Sequence, residues 1–201
     1  MLEAKDLRCE RGGRTLFRGL SFSLGAGEAL RIAGANGSGK TSLLRILCGV
    51  AAPAAGEARW KGEPVRALRE EYSAQLVYLG HASGLKDELT AAENLSIACR
   101  LAGCERSRGE VSAALRTLAV PEASLVKRLS QGQRRRAALA RLVLSGQAPL
   151  WLLDEPLAAL DAAAARLVEG LVVEHASRGG MVIYTTHQDT NIPGKVIELD
   201  A

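Results

Sequence analysis

The run "GANGSGKT", residues 34–41, decides the fold. It follows the apolar stretch "ALRIA" and precedes "SLLRILCGV", where Leu43, Leu44, Ile46 and Leu47 recur at helical spacing and Gly49 closes the pattern. The order is strand, glycine-rich loop, helix, and the loop fits G-x-x-x-x-G-K-[ST], a phosphate-binding pattern. Such a loop turns backbone N–H groups inward, and the helix start behind it adds partial positive charge. The nucleotide-binding set read from it is Gly34, Ala35, Asn36, Gly37, Ser38, Gly39, Lys40, Thr41 and Ser42. Within that set Lys40 is expected to reach the β- and γ-phosphates, and the Thr41 hydroxyl to meet Mg²⁺.

A phosphate loop of this kind needs a second carboxylate for the metal, usually at the end of a neighbouring buried strand. "LWLLDE", residues 150–155, supplies it: Asp154 for Mg²⁺ through water and Glu155 to polarise the attacking water. Two acids ending an apolar strand also occur as a plain solvated strand end, and it is the phosphate loop that favours chemistry here. Further out, "LSFSLGAG" reads as a strand running into a turn and "GGMVIYTTHQ" as another short buried strand. Continuous apolar strands alternating with helices predict a mainly parallel sheet covered on both faces. From about residue 83 the pattern changes to helices only, as in "TAAENLSIACRLAG" and "GEVSAALRTLAV", and predicts a helical lobe over about 83–140 inserted into the α/β core.

The bulk properties narrow the function. The chain has 201 residues, 47% hydrophobic and 24% charged, enough apolar content to bury one sizeable core. A net charge of +4 suits a phosphate ligand or an anionic membrane surface but is too small to point to nucleic acid, so no nucleic-acid partner is expected. Cys9, Cys48, Cys99 and Cys104 form no C-x-x-C pair and no C-x-x-C-H heme attachment, and read as reduced thiols of a cytosolic compartment. The first residues hold no apolar core of signal-peptide length, and no apolar run reaches the roughly 18 residues that span a bilayer. If the protein works at a membrane, another polypeptide is expected to supply the membrane part.

"LSQGQRRR", residues 129–136, resembles the LSGGQ signature of ATP-binding-cassette (ABC) proteins, with Gln131 in place of the first glycine. It precedes the Asp154 motif in the order usual for that family. The resemblance implies a P-loop NTPase with a helical subdomain inserted in a mainly parallel sheet core and an N-terminal antiparallel β part, one cassette over residues 1–201. It also implies a functional dimer with two ATP molecules sandwiched head to tail. There Ser130, Gln131, Gly132 and Gln133 of one copy face the γ-phosphate held by the loop of the other. "LAALD", ending at Asp161, resembles the loop that crosses that dimer interface, and His187 in "TTHQ" stands at the switch-histidine position. Arg134 and Arg135 are read as a basic solvated helix face, and His175, which matches no motif, as a helix-surface residue.

Two departures matter. Most cassettes stack an aromatic residue on adenine, whereas "LRCERGGRTLF" has Arg11 or Glu10 at that place; the Arg11 guanidinium plane can stack instead. His81, in "VYLGHASGLKDEL", stands where ABC transporters usually carry a glutamine that touches Mg²⁺ or the attacking water, and imidazole can make one such hydrogen bond. With "GH…GLK…LTAAENL" and "LEAKDLRCERGGRTLFRGLSFSL", this histidine resembles the CcmA branch, the ATPases of bacterial cytochrome c maturation. That resemblance implies a peripheral subunit on the cytoplasmic face of the bacterial inner membrane. It would be partnered with integral membrane transporter subunits of the cytochrome c maturation system and hydrolyse ATP with Mg²⁺ to power heme handling or export. Service to a lipid, peptide or lipoprotein exporter remains the other reading, because nucleotide motifs do not encode cargo. The soluble mechanical ATPases of DNA repair carry long coiled-coil or zinc-bearing insertions, and no heptad run or cysteine cluster lies between Thr41 and Ser130.

Overall fold

In the computed structural model, which describes residues 1–199, the strand ahead of the glycine-rich loop is β3 (Ala29–Ala33). It lies inside a five-stranded parallel sheet with β6 (Leu76–Leu79), β7 (Leu150–Leu153), β8 (Met181–Thr185) and β9 (Lys195–Glu198), in the order β6-β7-β8-β3-β9. The continuous apolar runs follow from burial on both faces. Along β7, Trp151 and Leu153 face one core cluster while Leu150 and Leu152 face the other. In β8 the pair Val182 and Tyr184 parts in the same way from Met181 and Ile183.

The second sheet is antiparallel, in the order β2-β1-β4-β5. It is built from β1 (Leu2–Arg11), β2 (Arg14–Leu24), β4 (Ala55–Trp60) and β5 (Glu63–Pro64). The N-terminal strands were expected, whereas β4 and β5, which follow the loop helix α1 (Lys40–Leu47), were not. Their apolar signal is confined to Ala58 and Trp60, too short for a period to show. Leu43, Leu44 and Leu47 of α1 fill the space between the two sheets, so the loop helix is clamped on both sides.

Helix α2 (Val65–Ser73) follows β5, and the helical lobe contains α3 (Ala91–Leu101), α4 (Arg108–Thr117) and α5 (Gln131–Leu144). Each begins with a capping box of the form S/T-x-x-E/Q: Thr90 with Glu93, Ser107 with Glu110, and Ser130 with Gln133. Each cap contributes about 1 kcal/mol and fixes where its helix starts. Helix α5 packs on α3 and α4 and also touches β6 and α6 (Ala162–Ser177), so it joins lobe to core. Among the described residues no helix is long and apolar enough to cross a membrane.

His175 is not a helix-surface residue. It is 5% exposed and its ring stacks on Trp151, centroids 3.9 Å apart and planes within 3°. Burial lowers its pKa to about 4, so the core holds it neutral. The helical phase accounts for the difference: Ala164, Val168 and Val172 form the buried stripe of α6, and His175 continues it.

Candidate active site

Four parallel strands end side by side, and each delivers residues to one cavity of about 600 Å³. From β3 comes the glycine-rich loop, from β7 Asp154 and Glu155, from β8 His187, and from β6 His81. A crevice outside the carboxyl ends of parallel strands is where such folds bind ligands. The antiparallel sheet closes the far end with Arg11 and Leu16.

The loop backbone demands glycine at its first position. Gly34 has φ +136°, and a Cβ there would stand 2.7 Å from the Leu199 carbonyl oxygen. At the other end, α1 starts at Gly39 with no side-chain cap, so its first N–H groups face the cavity unclaimed by a side chain. Lys40 is 7% exposed, and its ammonium donates to the carbonyls of Gly34 (2.7 Å) and Ala35 (2.9 Å), which ties the loop across itself. Asn36, Gly37, Gly39, Lys40, Thr41 and Ser42 line the cavity; Gly34, Ala35 and the buried Ser38 support it from behind.

The two residues read as metal ligands meet directly: the Thr41 hydroxyl donates to Asp154 Oδ2 at 2.8 Å. Thr185, at the end of β8, orders the rest. Its hydroxyl donates to Asp154 Oδ1 (2.9 Å) and accepts from the Glu155 N–H (2.8 Å), which sets the two acids relative to each other. Thr185 was not singled out in the sequence; its signal is a buried threonine beside the His187 motif. Glu155 takes a left-handed backbone, φ +51°, uncommon for a non-glycine residue and placed at the chemistry. Its Oε1 lies 3.2 Å from His187 Nε2 without hydrogen-bond alignment, leaving that buried oxygen with no donor of its own among the described residues. His187 is about half exposed and Glu155 only 14%, so the carboxylate is recessed and the imidazole stands at the rim.

The signature residues lie elsewhere. Ser130 is the exposed N-cap of α5, accepting from the Gln133 N–H at 3.2 Å, while Gln133 Oε1 accepts from the Ser130 N–H at 2.9 Å. None of Ser130, Gln131, Gly132 and Gln133 lines the cavity. A Cβ on Gly132 would stand 3.1 Å from the Ala159 carbonyl, so the signature turn sits against the "LAALD" segment of the same chain. That segment ends in Asp161, the exposed N-cap of α6, which accepts from the Ala164 N–H at 2.8 Å.

The basic triplet divides. Arg134 fits the solvated reading: it is a third exposed and pairs with Asp87 at 2.9 Å. Arg135 contradicts it. The residue is 8% exposed and its guanidinium donates to main-chain carbonyls on two loops of the site. The sequence signal that finds it is helical phase: Arg135, Ala138, Leu139 and Leu142 lie at i, i+3, i+4 and i+7, and all are buried.

A parallel sheet carrying a phosphate loop, a carboxylate pair and a histidine at adjacent strand ends, with a helical lobe that displays a second helix start, defines an ATP-binding-cassette ATPase. A protein-family model described as ABC transporter matches residues 17–158. The cytochrome c biogenesis ATP-binding export protein CcmA of Nitrosospira multiformis is 49% identical over 98% of this chain and 96% of its own. Its namesake in Dechloromonas aromatica is 52% identical over 99% and 98%. A solved dimeric ATP-binding cassette, MJ0796 bound to ADP and Pi, superposes with a TM-score of 0.85 over 99% of this chain and 94% of that one, at 24% identity, a likeness of fold. The chain belongs to the CcmA family of ABC transporter ATP-binding proteins.

Proposed function

We propose that this chain is the ATP-hydrolysing subunit of an ABC transporter that serves c-type cytochrome biogenesis by exporting or handling heme. Two copies act together, peripheral to the cytoplasmic face of the inner membrane and coupled to integral membrane subunits of the maturation system. The observation that carries the enzymatic part is the convergence of Lys40, Thr41, Asp154, Glu155 and His187 on one cavity. The service to cytochrome c biogenesis is supported by the relatives' names, cytochrome c biogenesis ATP-binding export proteins.

In this reading the uncapped start of α1 and the Lys40 ammonium hold the β- and γ-phosphates. Thr41 Oγ1 and Asp154 Oδ2 fit Mg²⁺, being hard oxygen donors 2.8 Å apart. Among the described residues no cluster of three or more His, Cys, Asp or Glu forms an all-protein cage, as suits a cation held largely by phosphate and water. When bound, the cation neutralises charge developing on the transferred phosphoryl group. The free Glu155 Oε1 accepts a proton from the attacking water. His187, at the rim, orients that water and touches the γ-phosphate, and His81 offers one further hydrogen bond from the neighbouring strand end. Arg11 lies flat on the base where other cassettes use an aromatic ring. The exposed Ser130 and Gln131 and the half-buried Gly132 and Gln133 of the second copy, with Asp161 at the interface between copies, complete the shell around the γ-phosphate. Closure of the two copies is passed to the membrane subunits through the segment from His81 into α3.

Glu155→Gln tests the site. The variant is expected to bind ATP, hold the closed dimer and hydrolyse about 10²–10⁴-fold more slowly, the range that loss of a general base produces. Full activity in Glu155→Gln would remove Glu155 from the chemistry. Affinity purification of the chain from membranes tests the partner: subunits of a lipid or peptide permease in place of the maturation system would overturn the cargo.

A further inference from the structure

The geometry points to Arg135 as a positioning residue: from inside the signature helix it fixes the backbone of the two loops that carry His81 and Glu155, and so ties the catalytic carboxylate to the position of α5. This rests on the hydrolysis reading above and adds to it a residue that never reaches the nucleotide cavity.

The guanidinium is a two-pronged clamp. Nη1 donates to the carbonyls of Gly80 (3.1 Å) and His81 (3.4 Å), past the end of β6. Nη2 donates to those of Asp154 and Glu155, both at 2.7 Å, past the end of β7. Arg135 makes no ion pair with a carboxylate among the described residues; carbonyl dipoles at two strand ends hold its charge. Burial lowers its pKa, opposed in part by the nearby Asp154 and Glu155 carboxylates, and a guanidinium stays charged all the same.

Three features exceed what packing needs. All four acceptors lie beyond the regular strands, and the carbonyls of Gly80, His81 and Asp154 take no main-chain hydrogen bond among the described residues. One is Glu155, whose left-handed backbone is an uncommon state that surrounding bonds must enforce. Thr185 accepts from its N–H and Arg135 donates to its C=O, so both ends of that strained residue are held. The third is placement: Arg135 lies five residues into the helix that Ser130 caps, so a displacement of α5 moves the clamp with it. A planar fork can serve two loops at once, whereas a lysine ammonium is a point donor.

The test compares Arg135→Gln and Arg135→Lys with Glu155→Gln, by steady-state hydrolysis, ATP binding and amide exchange. Expected for Arg135→Gln is a kcat at least tenfold lower with a KM for ATP within threefold. Faster exchange is expected at residues 80–83 and 155–158 but not at 34–41. Arg135→Lys, which restores charge without the fork, is expected to stay at least fivefold below wild type, and it carries the comparison if Arg135→Gln does not fold. Wild-type kcat in both variants would overturn the inference, as would parallel loss of ATP binding with exchange raised throughout the chain. Unchanged hydrolysis in Glu155→Gln would instead sink the site reading itself, so the two failures are distinct.

Discussion

Two helix starts, at α1 and α5, carry the same physical device in opposite states. Helix α1 begins at Gly39 with no side chain spent on its first amides, inside a cavity and against a loop tied by Lys40. Helix α5 begins at the exposed Ser130, outside that cavity, and a capping box answers the Ser130 and Gln133 amides. A free helix start has all its first donors and partial charge to offer an anion; a capped one has two of them satisfied and adds its serine hydroxyl and dipole. The difference fits the division of labour proposed above, in which α1 would hold phosphate and α5 would be presented to a phosphate held elsewhere.

Substitutions at the two starts sharpen this contrast. Lys40→Ala should weaken ATP binding by about 10–150-fold, the loss that corresponds to about 1.5–3 kcal/mol for a hydrogen bond to a charged group. Ser130→Asp should act otherwise, because aspartate caps a helix as well as serine and leaves α5 intact. Its added negative charge opposes the γ-phosphate, so hydrolysis should fall at least tenfold while ATP binding to the isolated chain stays near wild type. Equilibrium nucleotide binding beside turnover measures both; weakened binding in Ser130→Asp at low protein concentration would place the signature in the same chain's site.

A smaller effect is expected in the core. The folded pKa of His175, about 4, lies below the ordinary value of 6.5, so the unfolded chain takes up the proton first as pH falls. Its contribution to stability is complete above about pH 6.5 and is lost progressively between there and pH 4. His175→Phe keeps a ring against Trp151 and should flatten that part of the melting-temperature profile without changing turnover at pH 7.5. The smallest effect belongs to the rim: Arg11→Ala should raise the KM for ATP about 2–5-fold and leave kcat unchanged, as loss of an exposed stacking contact does. A tenfold fall in kcat would assign Arg11 to the chemistry.

The sequence was legible wherever function follows from local backbone. The phosphate loop, the acids ending β7, the signature turn and His187 are short motifs whose shape is set by neighbouring residues, and the structure puts each at a strand end or helix start. What it hid depended on the phase of a helix over several turns. Arg135 reads, with Arg134, as part of a solvated basic face until it is aligned with Leu139 and Leu142. His175 reads as a stray surface residue until it is aligned with Val168 and Val172. Thr185 is a different case: its role comes from β8 lying between β7 and β3, a strand order that no local pattern contains.

If each site takes its loop from one copy and its signature from another, mixing two inactive chains restores hydrolysis. Lys40→Ala spoils the loop and Ser130→Asp the signature, so a mixed head-to-tail dimer keeps one intact site and one doubly spoiled site. Equal mixing of the purified variants should restore hydrolysis to on the order of a quarter of wild type, given random pairing into two-fold dimers with independent sites. Activity no greater than the sum of the two variants alone would contradict the shared-site account.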